Sequence, residues 1–214
     1  MDRDRLIARH PTLYHIADAR NWDSIRARGL LSTSALLDRF EVRDGARESL
    51  ESDHRPATVS IPPAGPHPSF GVAFVRDQRP LQPSALLACL DGMTVEGWFR
   101  LLNGRVFFWP TAERRDGMLK AYRSSEQAVF EVDTARLLDL HGDRVELSRI
   151  NSGFANPGWT VARRGLDTFQ PIDSCRFKTI AELTVPGAVP DIFEATVRVA
   201  AWLGGKEVGL LWEP

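Results

Sequence analysis

The chain has 214 residues, with 27 lysines and arginines against 28 aspartates and glutamates and a net charge of −1 at pH 7. That length suits a single domain, residues 1–214, whose core needs no disulfide or metal staples. The charge balance excludes a global electrostatic case for nucleic acid or a membrane surface, so any nucleic-acid partner would have to use a local patch.

The two cysteines, Cys89 and Cys175, lie far apart and read as reduced thiols. The start, MDRDRLIARH, is charged and lacks the apolar run of a signal peptide. No stretch approaches the ~20 apolar residues of a membrane span. A cytoplasmic protein that does not enter a membrane is expected.

In chain order, residues 1–12 read as a polar lead-in. Leu13, Tyr14 and His15 form a short strand. Asp18 or Asn21 can cap the helix that follows, in which Trp22, Ile25 and Leu30 make an apolar stripe. Gly29 stops it, since a positive φ is easiest for glycine. Ser32, Thr33 and Ser34 offer caps for a helix over Ala35–Phe40, and a charged surface helix is expected within 42–55. Strands are expected at Thr58–Ile61 and Val72–Val75, separated by the proline-rich loop Pro62–Ser69. Helices follow at Pro83–Leu90 and Thr94–Leu102.

Val106–Trp109 is a compact buried-strand signal ended by Pro110. Thr111 caps a helix towards Tyr122. Gln127–Val132 alternates as a strand, and Thr134 caps a helix. Val145–Ile150 and Ile180–Val185 are further strands, with the breaker-rich NSGFANPGW between them. The segment 192–212 stays open between helix and strand. The class is α+β, with six or seven short strands in a split, mostly mixed β-sheet flanked by helices.

Three stretches resemble the DarT-like ADP-ribosyltransferase family, which transfers ADP-ribose from NAD onto DNA bases. They are LYHIADARNWDSIRARGLL from Leu13, the aromatic run RVFFWPTAERRDGM from Arg105, and KTIAELTVPGAVP from Lys178. They occur in the family order. The resemblance implies an ADP-ribosyltransferase-like fold, NAD as substrate and an enzyme that acts as a toxin or phage-defence effector. It leaves the acceptor open among a DNA base, RNA and a protein, with a nucleic acid expected first, and it allows for an antitoxin partner.

It further implies that His15 holds the ribose of the nicotinamide nucleotide, that Trp109 or Phe107 stacks on nicotinamide, and that Glu182 is catalytic. The family's threonine two positions after the histidine is Ala17 here. Three residues separate Pro110 from Arg114, so Arg114 and Arg115 both stay open for the family's arginine. The arginine ahead of the aromatic strand is matched first by Arg55, with Arg76 and Arg79 as rivals. Glu182 and Arg55 are thus the candidate catalytic residues, and His15, Tyr14, Ser32, Phe107, Trp109 and Arg76 the candidate NAD contacts. For base stacking, Trp98 or Trp109 would accompany a patch of Arg114, Arg115, Lys120 and Arg123.

Each has a plainer reading. His15 can be a strand-end histidine bonded to backbone, the aromatic run a core strand, Ser32 a helix cap, and most arginines simply solvated. Glu182 resists that treatment, because it sits among Ile180, Ala181, Leu183 and Val185. If both faces of its sheet are covered, its carboxylate faces a cleft, which is costly unless the charge is paired or used. No phosphate-binding, serine-nucleophile or dinucleotide glycine motif is present, and the histidines lack metal-ligand spacing. The alternatives are a same-fold NAD enzyme (an RNA 2′-phosphotransferase or an NAD glycohydrolase) and a catalytically silent binding domain.

Overall fold

The computed structural model describes residues 1–63, 71–159 and 161–214. The expected loop Pro62–Ser69 therefore lies outside the described residues from residue 64 onward. The first half runs α1 (Arg3–Arg9), β1 (Thr12–Asp18), α2 (Trp22–Arg28), β2 (Leu30–Leu31), α3 (Thr33–Arg39), α4 (Asp44–Ser52), β3 (Val59–Ile61), β4 (Ala73–Val75), α5 (Pro83–Leu87), β5 (Leu90–Asp91), α6 (Val95–Asn103) and β6 (Arg105–Phe108). The second half runs α7 (Ala112–Ala121), β7 (Gln127–Asp133), α8 (Thr134–His141), β8 (Glu146–Ser148), β9 (Arg164–Gly165), β10 (Gln170–Pro171), β11 (Glu182–Pro186), β12 (Ala188–Val189), α9 (Ile192–Ala195), β13 (Thr196–Leu203) and β14 (Lys206–Trp212).

Side-chain caps set many of the helix starts. Ser32 accepts from the Ala35 amide at 3.1 Å, Thr94 from Gly97 at 3.0 Å and Thr111 from Arg114 at 3.4 Å. Three local expectations need correction. The lead-in contains α1, because the Asp2 carboxylate caps it at the Arg5 amide. Asp133, not Thr134, caps α8; the Thr134 hydroxyl instead donates to the His10 carbonyl. Of the two expected caps, Asp18 accepts the Arg20 amide at 3.0 Å and starts the turn that leads into α2, whereas Asn21 stands at the start of α2 without capping it. Its amide exchanges two 2.9 Å hydrogen bonds with the backbone of Phe74, fastening β4 to α2.

The structure is α+β and its sheet is split in two. One four-stranded sheet has the order β1-β7-β13-β14 and the other β10-β8-β11-β6. Mixed pairing does not hold for these two, because every neighbour in both is antiparallel. Parallel pairing among the described residues is confined to β5 with β9 and the bridge Leu81–Ala155. The helices between strands suggest crossovers, which parallel neighbours require. Here α7 and α8 instead carry the chain from one sheet to the other, since β6 and β8 belong to one sheet and β7 to its counterpart.

The open segment 192–212 resolves as α9 and the β13–β14 hairpin, turned at Gly204 and Gly205 with φ of 64° and 79°. Two successive positive φ angles are what the commonest two-residue hairpin turn requires.

The sheets meet at the Tyr14–Trp109 bridge, whose paired backbone bonds are 2.9 and 2.8 Å. The main core lies between them: Leu13, Phe130 and Val199 from one sheet, and Val106, Phe108, Leu183 and Val185 from the other. A second cluster of Trp98, Phe99 and Leu102 from α6 with Phe169 and Phe107 covers the far face of the β6 sheet. Both faces of β11 are therefore covered. Leu183 and Val185 are buried in the main core, which leaves Glu182 and Thr184 on the opposite face by strand alternation.

Candidate functional site

A cavity of about 1000 Å³ opens where the two sheets diverge from their bridge. That is at the upper end of the range for small-molecule sites. Its walls include His15, Ser32, Arg55, Arg76, Phe107, Trp109, Arg114 and Glu182, so residues spread from 15 to 182 in sequence converge on one space.

Glu182 is 5 % exposed. Its Oε1 accepts the Ser152 amide at 3.0 Å, and its Oε2 is buried without a partner in hydrogen-bonding geometry. Burial pushes its pKa up to about 7; the Ser152 contacts and the Arg114 and Arg164 charges oppose that rise. The Ser152 hydroxyl helps hold the carboxylate's pKa down, yet it too makes no hydrogen bond of normal geometry. A buried acceptor without a partner normally costs a few kcal/mol, so this oxygen is one of the unusual atoms of the cavity wall.

His15 sits on β1 with its Nδ1 2.8 Å from the Phe107 carbonyl. A carbonyl only accepts, so Nδ1 carries the proton and Nε2 is left as an acceptor. Burial pushes the histidine's pKa down to about 4, against the Phe107 bond that raises it. His15 is thus bonded to backbone and also lines the cavity. Phe107 and Trp109 line it beside the histidine.

Tyr14 does not line the cavity, although Ile16 and Asp18, on the same face of β1, do. Arg115 stacks between the Tyr14 and Trp202 rings, at 4.8 and 4.9 Å, which takes Arg115 away from the cavity as well. Arg114, one residue earlier on α7, lines the cavity instead and is exposed.

The two expected arginines are held differently. Arg55 is 6 % exposed and donates to three oxygens, the Leu50 carbonyl, the Arg76 carbonyl at 3.2 Å and Asn103 Oδ1 at 2.9 Å. Burial pushes its pKa down to about 10. It braces the cavity wall with most of its donors engaged. Arg76 donates to Gln127 and stacks over the Tyr122 ring at 4.3 Å. Ser32 lines the cavity while capping α3. Trp98 is fully buried and offers no face to a base.

The sequence gives no signal for Ser152, Gln78 or Asn103, which also line the cavity. Residues 11–196 match the model of a protein family of unknown function, DUF7002. The chain belongs to that family. The matched span of this DUF7002 member includes both sheets up to β12 and every candidate residue from His15 to Glu182. No curated protein matches the chain. Among the described residues no group of three or more His, Cys, Asp or Glu could hold a metal ion, and no helix is long and apolar enough to cross a membrane.

Glu182 and His15 predict opposed pH dependences of stability. The folded pKa of Glu182, about 7, is above its ordinary 4.5, so its contribution is complete below about pH 4.5 and is lost as pH rises towards 7. The folded pKa of His15, about 4, is below its ordinary 6.5, so its contribution is complete above about 6.5 and is lost as pH falls towards 4. Relative to wild type, Glu182→Gln should therefore gain on the order of 3 kcal/mol in stability between pH 4.5 and 7. His15→Asn should lose relative stability over the same rise. Urea unfolding at several pH values measures both, and a difference that does not change with pH would contradict the shifted pKa of that group.

Proposed function

We propose that the protein is an NAD-dependent ADP-ribosyltransferase that uses this cavity to transfer ADP-ribose to a macromolecular acceptor, most readily a nucleic-acid base. It would serve as a toxin or phage-defence effector countered by an antitoxin. The observation that carries this reading is the unpartnered Glu182 Oε2 in the same cavity as a neutral His15 and two aromatic rings.

The chemistry suits those groups. Breaking the nicotinamide–ribose bond sends its electron pair to nicotinamide and leaves an oxocarbenium-like sugar. Glu182, bound to a ribose hydroxyl, stabilises that positive charge. The acceptor then bonds to the anomeric carbon and gives up a proton, which Glu182 can take; a pKa near 7 suits a base working near neutral pH. Nε2 of His15 accepts from a ribose hydroxyl, Trp109 or Phe107 stacks on nicotinamide, and Arg76 and Arg114 face the diphosphate.

Labelled NAD incubated with separate DNA, RNA and protein pools tests the reading. Label transferred to one pool supports it and names the acceptor. NAD consumed with no labelled pool points to a glycohydrolase, and NAD neither bound nor consumed would overturn the proposal. His15→Ala should raise KM for NAD by up to about tenfold with little change in kcat, because its hydrogen bond is present in ground and transition states alike. An unchanged KM with a large fall in kcat would remove His15 from this role.

A further inference from the structure

The β9 arginine, Arg164, is 3 % exposed; burial pushes its pKa down, and the Cys89 thiol beside it and the Glu182 charge oppose that. Its Nε donates to the Ala162 carbonyl at 3.2 Å and its Nη1 to the Ser152 carbonyl at 3.0 Å. Its guanidinium lies 5.7 Å from the centre of the buried Trp98 ring. A buried guanidinium is expensive unless its charge is balanced, and the Glu182 carboxylate is the anion that acts on it.

That counterpart is reached through one residue. Ser152 is fully buried. Its carbonyl accepts from Arg164 and its amide donates to Glu182 Oε1 at 3.0 Å. The main chain of Ser152 is thus gripped on one side by a cation and on the other by the cavity's acid. We propose that Arg164 is a positioning residue for the Glu182 carboxylate, acting through the main chain of Ser152.

Two consequences follow from the geometry. Without the Arg164 donor, the Asn151–Gly153 loop loses the bond that holds the Ser152 amide on Oε1. Without its charge, the ionised carboxylate loses one of the two cations that lower its pKa. The other groups acting on Glu182 are the Ser152 hydroxyl and Arg114 of α7; Arg114 lowers the carboxyl's pKa more than Arg164 does, but it is exposed and makes no contact with the Ser152 main chain. Loss of Arg164 should therefore be felt mostly where Glu182 is being deprotonated.

The functional half of this inference rests on the reading of Glu182 given above, and the test separates the two. The Glu182 carboxyl is titrated by 13C NMR, its signal assigned by absence in Glu182→Gln, alongside the pH profile of NAD turnover. In Arg164→Gln the carboxyl should titrate about one pH unit higher. Turnover should fall about tenfold near pH 6 and little near pH 9. Arg164→Lys, which keeps the charge, should restore most of both. A folded Arg164→Gln with an unchanged Glu182 titration overturns the proposal, even if activity is lost uniformly across pH. Should Arg164→Gln not fold, the wild-type protein decides the matter: the Ser152 amide and the Arg164 side-chain N–H resonances should share the Glu182 inflection, and an Arg164 resonance without it overturns the coupling. A wild type that titrates as expected but never consumes NAD would sink the transferase reading and leave the coupling standing.

Discussion

Glu182→Gln should give a folded, NAD-binding protein whose turnover is about 10²–10³-fold below wild type. The amide keeps the shape and can still accept the Ser152 N–H, which in the wild type is bonded to Oε1 at 3.0 Å. It removes the negative charge that the cationic sugar needs, and it offers no base for the acceptor's proton. The fold should survive, since a neutral amide is easier to bury than a carboxylate whose pKa burial has already raised to about 7. At pH 7.5 and above, the variant should melt at or above the wild-type temperature. Turnover and melting of the pure variant beside wild type decide the matter. Turnover within a few fold of wild type would remove Glu182 from the chemistry. A collapsed melting temperature would make it a structural acid instead.

The features that were legible are those that sequence fixes locally. Alternation across Ile180, Ala181, Leu183 and Val185 marks Glu182 as a carboxylate in an apolar strand, and the structure buries it. Thr111 after Pro110 marks the start of α7, and the Thr111 hydroxyl makes the cap. Gly29 marks the end of α2 and has a φ of 73°.

What was not legible depends on pairings between distant segments. Arg55 and Arg76 look alike in sequence, but which donors stay available is decided by Leu50, Asn103 and Gln127 once the chain is folded. Tyr14 and His15 are neighbours, and only the packing of α7 on one face of β1 decides which of them meets the cavity. Ser152 and Arg164 lie in and beyond a loop rich in glycine, asparagine and proline, where no periodicity exists to read. The antiparallel order of the sheets has the same origin, since β1 pairs with β7 across more than a hundred residues. The β13–β14 turn is a different case, because its signal is local: two adjacent glycines, Gly204 and Gly205, between apolar runs.

Gly29→Ala should cost several kcal/mol of stability, because this glycine meets two separate obstacles to a side chain. Gly29 combines a φ of 73° with a ψ of −163°, a region essentially reserved for glycine. A Cβ there would lie 2.4 Å from the Val189 and Pro190 carbonyl oxygens and 2.5 Å from the Pro190 Cα. Those are backbone atoms and cannot swing aside. They belong to the segment that pairs β2 with β12, Leu31 against Ala188 and Leu30 against Val189. The Ser32 amide adds a 2.8 Å bond to the Gly187 carbonyl. Relief of the clash would part β2 from β12 and displace Leu31 and Ser32 in the cavity wall. Backbone strain of roughly 1–3 kcal/mol and overpacking of roughly 1–3 kcal/mol together make a large fraction of the ~5–15 kcal/mol that holds a domain folded. Gly187→Ala is the control: its φ is 78°, but a Cβ would meet nothing within 4 Å, so it carries the strain without the clash. Urea unfolding of the two variants should show Gly29→Ala losing several kcal/mol and Gly187→Ala about 1 kcal/mol. Equal losses would mean that β2 and β12 do not make the close approach that fastens the start of the chain to the segment following Glu182.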